Sequence, residues 1–295
     1  MSSERALPAR RPWPRRLHAA LALARVSNSP TVVSNVLAGA ALAGAVQPNA
    51  TIVALAVALV LFYTAGMYLN DVCDYVVDRR ERPERPLPAG AVSRAEALVA
   101  IGALFGIGSA ILWSIGRASF LSGLVLLGLI VVYDMWHKAN PLSPLLMAGC
   151  RLMVYITAFV AFAAEASASL LIASTGLVLY LVGLTYIAKS ETRTHVAQYW
   201  PAALLLLPAA YFAFRIPPVA MLPLLLLFTG WVSYGISLVY RSHDRNIGAG
   251  IAHLIAGIAL YDSLVLAAAR SVPGVTLALL AFGLTIVLQR YIKGT

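Results

Sequence analysis

Charge is scarce in this chain. Of its 295 residues only 12% are Asp, Glu, Lys or Arg, while 60% are hydrophobic. Soluble proteins carry about 25% charged residues, so this shortage excludes an ordinary soluble domain and points to the polytopic membrane class. Cysteine is nearly absent. Cys73 and Cys150 stand alone and make neither a disulfide framework nor a zinc spacing. The apolar runs lack period-two alternation, which makes them helices rather than the strands of a barrel. No small-residue cleavage site follows the basic, proline-rich start MSSERALPARRPWPRR, so it does not read as an export signal. Residues 1–20 read as a disordered basic cytosolic tail and 21–295 as one transmembrane domain. No polar stretch is long enough for a soluble domain.

Long apolar runs are what the chain does have. They fall at about 26–46, 51–69, 95–115, 118–134, 144–165, 168–188, 198–214, 219–240, 249–269 and 272–291. Each reaches, or nearly reaches, the length that crosses a hydrocarbon core of about 30 Å at 1.5 Å per residue. The expected fold is all-α, a polytopic bundle of nine or ten transmembrane helices. The formal charge is +10, and its basic residues gather in 1–25, 71–94, 135–143, 189–195 and 241–246. The alternate connections hold almost none. Positive-inside orientation puts the basic loops and the N-terminus in the cytosol. It accounts for the surplus without a nucleic-acid partner. The expected location is the cell membrane.

Where the second apolar run ends, residues 70–90 read NDVCDYVVDRRERPERPLPAG. Asp71, Asp74 and Asp78 are spaced to share one helix face. Clustered carboxylates repel each other, and divalent cations relieve that repulsion. Mg²⁺ prefers carboxylate oxygens and commonly bridges to substrate phosphates. Asn70 adds an amide beside them, and arginines such as Arg85 can grip phosphate with a forked geometry. The pattern predicts Mg²⁺ held on a diphosphate by Asp71, Asp74 and Asp78. The bland alternative is a solvated loop whose charges pair among themselves.

NDVCDYVVD followed by RPLPAG resembles the first signature of the UbiA superfamily of intramembrane prenyltransferases. In that family N-D-x-x-D-x-x-x-D follows the second transmembrane helix, and an R-P-[LI]-x-x-G stretch comes next. Arg85, Pro86, Leu87 and Gly90 match the stretch. The resemblance covers about 20–290. It implies a helical bundle around a central cavity open to the cytosolic side. Tyr133, Lys138 and Pro141 match the layout before the fifth helix loosely, and Lys138 would bind a phosphate oxygen. Arg151, about two turns into the next helix, has the diphosphate, Asp134 or Asp262 as candidate partners, since an intramembrane Arg needs a polar cavity or a partner.

The second family signature is degenerate. YIAKSETRT at 186–194 keeps Tyr186 but places Ser190 and Thr194 where acids are expected, with Glu191 the sole carboxylate. This departure resembles the EboC-like bacterial subgroup, and it leaves two roles open. Lys189, Arg193 and Lys138 can supply the charge of a second Mg²⁺, or ionisation chemistry has been lost. Asn35 shares a face with Asn28 and, with Tyr133 and Asp262, is a pocket candidate; helix–helix glue is the alternative for Asn35 and a structural ion pair for Asp262. The resemblance implies Mg²⁺-dependent transfer of an isoprenyl group from a prenyl diphosphate to a small or lipidic acceptor among the membrane lipids. The diphosphate would meet Asn70, Arg85, Lys138, Arg151, Lys189 and Arg193. The other reading is a non-catalytic binder or transporter of isoprenoids or other amphiphiles that retains the first motif.

Overall fold

The structure, a computed structural model, describes residues 15–138, 140–189, 198–215, 218–241 and 246–292. These residues form helices and the turns between them: α1 (Arg15–Leu23), a short 3₁₀ turn (Val26–Asn28), α2 (Pro30–Leu42), α3 (Ala50–Glu81), α4 (Arg94–Ile115), α5 (Arg117–Trp136), α6 (Ser143–Phe159), α7 (Ala168–Lys189), α8 (Trp200–Arg215), α9 (Pro218–Tyr240), α10 (Ile247–Ala268) and α11 (Val272–Tyr291). No strand occurs among the described residues. The protein is a multi-pass, all-α membrane protein.

The expected count of nine or ten full spans needs correction. Among the described residues, seven helices are long and apolar enough to cross a membrane: α3, α4, α5, α7, α9, α10 and α11. The apolar helices α6 and α8 are shorter. The first apolar run is broken by the 3₁₀ turn and yields only the 13 residues of α2. Polar and small residues in that run support turns where hydropathy alone reads a continuous span. The expected tail also differs, because residues 15–20 belong to α1.

The longest helix runs through the charged motif. Asn49 caps its start by accepting from the Ile52 N–H at 3.0 Å. No glycine or proline interrupts residues 70–81, so the helix continues to Glu81 and stops just short of Pro83. The region expected as a loop from residue 71 is thus helical for its first three turns.

Consecutive helices pack side by side, and α2 and α10 occupy the middle, each touching several others. Within α10 the window of highest hydropathy is 72% buried, against 22% for α4, α5 and α11, whose apolar faces are left for lipid. Two hollows lie along the inner faces. One, of about 410 Å³, is walled by α3, α5, α6, α7 and α10 near the charged end of α3. The other, about 740 Å³, lies between the C-terminal part of α2, the N-terminal part of α7, α8 and the C-terminal part of α10, and its walls are apolar apart from hydroxyl groups.

Gly102 and Gly106, a small-residue pair by spacing, face open space. The tight approach is elsewhere: a Cβ at Gly39 would sit 2.5 Å from the Tyr155 carbonyl oxygen and 3.0 Å from Ala158 Cβ. Gly39→Ala therefore forces α2 off α6, at a cost of about 1–3 kcal/mol. The unfolding midpoint in detergent should fall for Gly39→Ala and stay level or rise for Gly102→Ala. Equal midpoints would remove Gly39 as the contact that sets the helix spacing.

Candidate active site at the end of the third helix

Asp71, Asp74 and Asp78 share the inward face of α3 and are all buried, at 6%, 9% and 5% exposure. Carboxylates withdrawn from water need counter-charge, and each has one. Arg85 Nη1 lies 2.7 Å from Asp78 Oδ2 and 3.6 Å from Asp71 Oδ1. The turns after Pro83 fold back over α3 and bring it there. Lys138 Nζ, beyond the end of α5, is 2.7 Å from Asp74 Oδ1, and His137 Nε2 is 3.7 Å from Asp74 Oδ2.

Arg25 arrives from the other side. It breaks the chain between α1 and the 3₁₀ turn with φ 42°, ψ 46°, a left-handed conformation uncommon for a residue with a Cβ. The turn directs its Nη2 to Asp71 Oδ1 at 3.3 Å and to Asn70 Oδ1 at 3.2 Å. Asn70 passes the contact on, donating Nδ2–H to Asp134 Oδ1 at 3.1 Å. Asp134 Oδ2 is buried without a hydrogen-bond partner.

The partners of these carboxylates reach the 410 Å³ cavity, whose wall includes Arg25, Arg82, Arg85, Tyr133, Asp134, His137, Arg151 and Lys189, while Asp71, Asp74 and Asp78 stand behind them. Deeper, the wall turns apolar with Leu59, Ile130, Val154, Leu181 and Ile258. Lys189 Nζ donates to the Asn140 carbonyl at 3.0 Å. Tyr133 stacks on His137 with ring centroids 5.1 Å apart. The site is a basic rim with acidic anchors over an apolar hollow, suited to an anionic headgroup on an apolar tail.

Other expected residues are placed differently. Arg151 lines the cavity but bonds to Asn35, away from the aspartates of α3: Nη1 donates to Asn35 Oδ1 at 3.0 Å. Asn35 and Asp262 are wholly buried behind it and do not line the cavity. Tyr186 is 37% exposed and packs edge-on against Trp200 at 4.7 Å. Helical phase explains this: Thr185, Ala188 and Lys189 face the cavity, which turns Tyr186 outward. Glu191 and Arg193 lie outside the described residues. Asp134, by sequence a candidate partner of Arg151, and His137 stand at the site instead, beside Asn70 and Asp74. Their signal was position, immediately before Lys138. Arg25 carried a weaker one, an arginine at the start of the first apolar run.

The sequence model of the UbiA prenyltransferase family matches residues 32–256, well over half of the chain. The chain belongs to the UbiA prenyltransferase family. The digeranylgeranylglyceryl phosphate synthase of Thermococcus kodakarensis is 40% identical over 90 residues. That match spans 30% of this chain and 32% of the relative, about a third of its length. Among solved structures, a UbiA homologue from Archaeoglobus fulgidus bound to GPP and Mg²⁺ has the same fold, with a TM-score of 0.63 at 16% identity over 88% of this chain and 99% of that one. An apo UbiA homologue from Aeropyrum pernix K1 gives 0.54 at 20% identity, over 89% and 98%.

The donor atoms of this UbiA site fit Mg²⁺. Among the described residues no three His, Cys, Asp or Glu groups converge enough to hold an ion by themselves. Mg²⁺ does not require that: it is usually held by one or two carboxylates, waters and substrate phosphate oxygens. The carboxylates are hard oxygen donors, and the unpartnered Asp134 Oδ2 beside Asn70 marks a local excess of acceptors.

Asn70 donates to a buried carboxylate that already has an unpartnered oxygen. Asn70→Ala should destabilise the chain by about 1–3 kcal/mol, the cost of a buried polar group left unpaired. Asn70→Asp, which sets a further carboxylate against Asp134, should cost more. Thermal unfolding in the absence of ligand checks the order, and a midpoint unchanged in both variants would refute the bridge.

Proposed function

We propose that this chain is a Mg²⁺-dependent intramembrane prenyltransferase that moves an isoprenyl group from its diphosphate to a small or lipidic acceptor. One observation carries the reading: three buried carboxylates pair with Arg25, Arg85 and Lys138, and the two arginines line a largely apolar cavity. Family membership supports the same reaction class, and the Archaeoglobus fulgidus homologue is bound to GPP and Mg²⁺. The basic segments at this end support a cytosolic mouth.

Asp71, Asp74 and Asp78 would hold Mg²⁺, which when bound neutralises the leaving diphosphate. The remaining steps belong to the chain. Arg85 and Lys138, now paired with carboxylates, turn to the phosphate oxygens. Arg25 holds Asp71 in place and ties it to Asn70, while Lys189 adds positive charge at the rim. The C1–O bond of the donor breaks with its electron pair leaving on the diphosphate. The acceptor's nucleophile forms the new bond to C1 and gives up a proton. Leu59, Ile130 and Leu181 surround the tail and keep water from capturing C1. Charge already fixed in place at the departing group commonly lowers the barrier more than any other single effect.

A second reading, a non-catalytic isoprenoid binder, is favoured by one feature: every carboxylate of the motif already has a cationic partner. Pyrophosphate release separates the two. Purified chain in nanodiscs, offered GPP or longer prenyl diphosphates with a panel of acceptors, should release pyrophosphate only with Mg²⁺. EDTA should abolish release. The Asp71→Ala/Asp74→Ala double variant should lower it by about a hundredfold or more while remaining folded. Saturable binding without release would establish the binder, and neither binding nor release would remove the diphosphate reading altogether.

A further inference from the structure

We propose that Asp134 is the base of the transfer step. It takes the proton that a hydroxyl acceptor, an alcohol or a phenol, gives up as its oxygen bonds to C1 of the donor. The proposal rests on the prenyl-transfer reading and names the reacting group of the acceptor.

Asp134 lies near the end of α5 and is 4% exposed. Leu126, Ile130, Asp134 and His137 recur every three or four residues and all line the cavity, so they share one face of the helix. Along that face the chemistry changes once. Ile130, one turn deeper and about 6 Å away along the axis, belongs to the apolar wall. Lys138, just past the end of the helix, belongs to the cations of the rim. C1 is the carbon that joins an uncharged tail to a diphosphate. Asp134 stands where the apolar wall gives way to the charged rim, at the matching junction.

Asp134 also differs from the other carboxylates at this end. Asp71, Asp74 and Asp78 each meet a cation and do not line the cavity. Asp134 lines it and makes no ion pair with any described residue. Its Oδ1 accepts from Asn70 Nδ2–H at 3.1 Å, and its Oδ2 is buried with no hydrogen-bond partner. A buried acceptor left unpaired is costly, and a hydroxyl arriving in the cavity supplies the missing donor. His137 shares this face, but its Nε2 lies 3.7 Å from Asp74 and its Nδ1 3.3 Å from the Asp134 carbonyl oxygen, so both ring nitrogens are engaged.

A base held by a third group is the usual plan for activating a weak nucleophile. Here Asn70 is the third group. It receives Arg25 on its amide oxygen and donates to Oδ1, which leaves Oδ2 for the proton. A lone pair of the hydroxyl oxygen forms the bond to C1. The C1–O electron pair leaves on the diphosphate, and the O–H proton passes to Oδ2. Asp134 then returns it to the released pyrophosphate or to water at the rim.

The test uses the full chain in nanodiscs with GPP, Mg²⁺ and the acceptor probes 1-octanol, benzyl alcohol, phenol and 4-nitrophenol. Geranyl ether is measured by mass spectrometry and GPP affinity by calorimetry. The parent chain should form ether. Asp134→Asn, which can still accept from Asn70, should lower kcat for benzyl alcohol about a hundredfold or more and leave GPP affinity within about threefold. The loss should be about tenfold smaller for 4-nitrophenol, which has largely shed its proton in neutral buffer and needs no base. Equal losses for these two acceptors overturn the base, because a purely structural role does not sort acceptors by acidity. So does an Asp134→Asn chain that forms ether at the parent's rate. A loss of GPP affinity as large as the loss of rate overturns it too, since Asp134 would then serve the donor. GPP binding with no ether from any probe removes the hydroxyl acceptor and the proposal, and leaves the donor site standing. A parent chain that does not bind GPP with Mg²⁺ sinks the prenyl-transfer reading and the base with it.

Discussion

A carboxylate kept away from water must be matched by positive charge, and much of the architecture at this end of the molecule follows from that requirement. Asp71, Asp74 and Asp78 occupy one face of α3, and the cations that meet them come from three separate parts of the chain. Arg25 needs a left-handed turn to arrive. Arg85 needs the proline-rich fold-back after α3, and Lys138 the connection between α5 and α6. The pairs tie together segments whose apolar surfaces would pack in many registers. They also keep the acidic face from collapsing inward before a ligand is present.

A second charge system lies deeper and is built on the opposite plan. At the rim, opposite charges touch and can exchange partners. Around Asp262 the carboxylate is saturated by neutral donors from Ser34, Asn35 and Tyr155. The rim is suited to rearrangement and the interior to fixed orientation. The central helices α2 and α10 carry Ser34, Asn35 and Asp262, and Gly39 lets α2 approach α6, which bears Arg151 and Tyr155, closely enough for the network to close.

The acidic motif was legible in the sequence because its residues are local, within about two turns of one helix. Its partners were not, because Arg25 and Asp71 are 46 residues apart and Asn35 and Asp262 are 227 apart. Helical phase decided other cases. Tyr186 and Lys189 are three residues apart, and of the two the lysine faces the cavity. Hydropathy found every apolar run but not where a run breaks, since the turn at residues 25–29 is set by hydrogen bonds and by one left-handed arginine. The charged end of α3 read as a loop by composition. In fact nothing before Pro83 stops a helix, and charge by itself does not.

That continuity makes α3 a single rod of 32 residues, about 48 Å long, against a hydrocarbon layer of about 30 Å. The rod is anchored at one end by its apolar turns and carries the aspartates rigidly near the other. The excess is more than a third of the rod, so the helix that spans the apolar layer also carries the aspartates past it without a hinge. The reach of the site out of the acyl region is thus built into one continuous backbone.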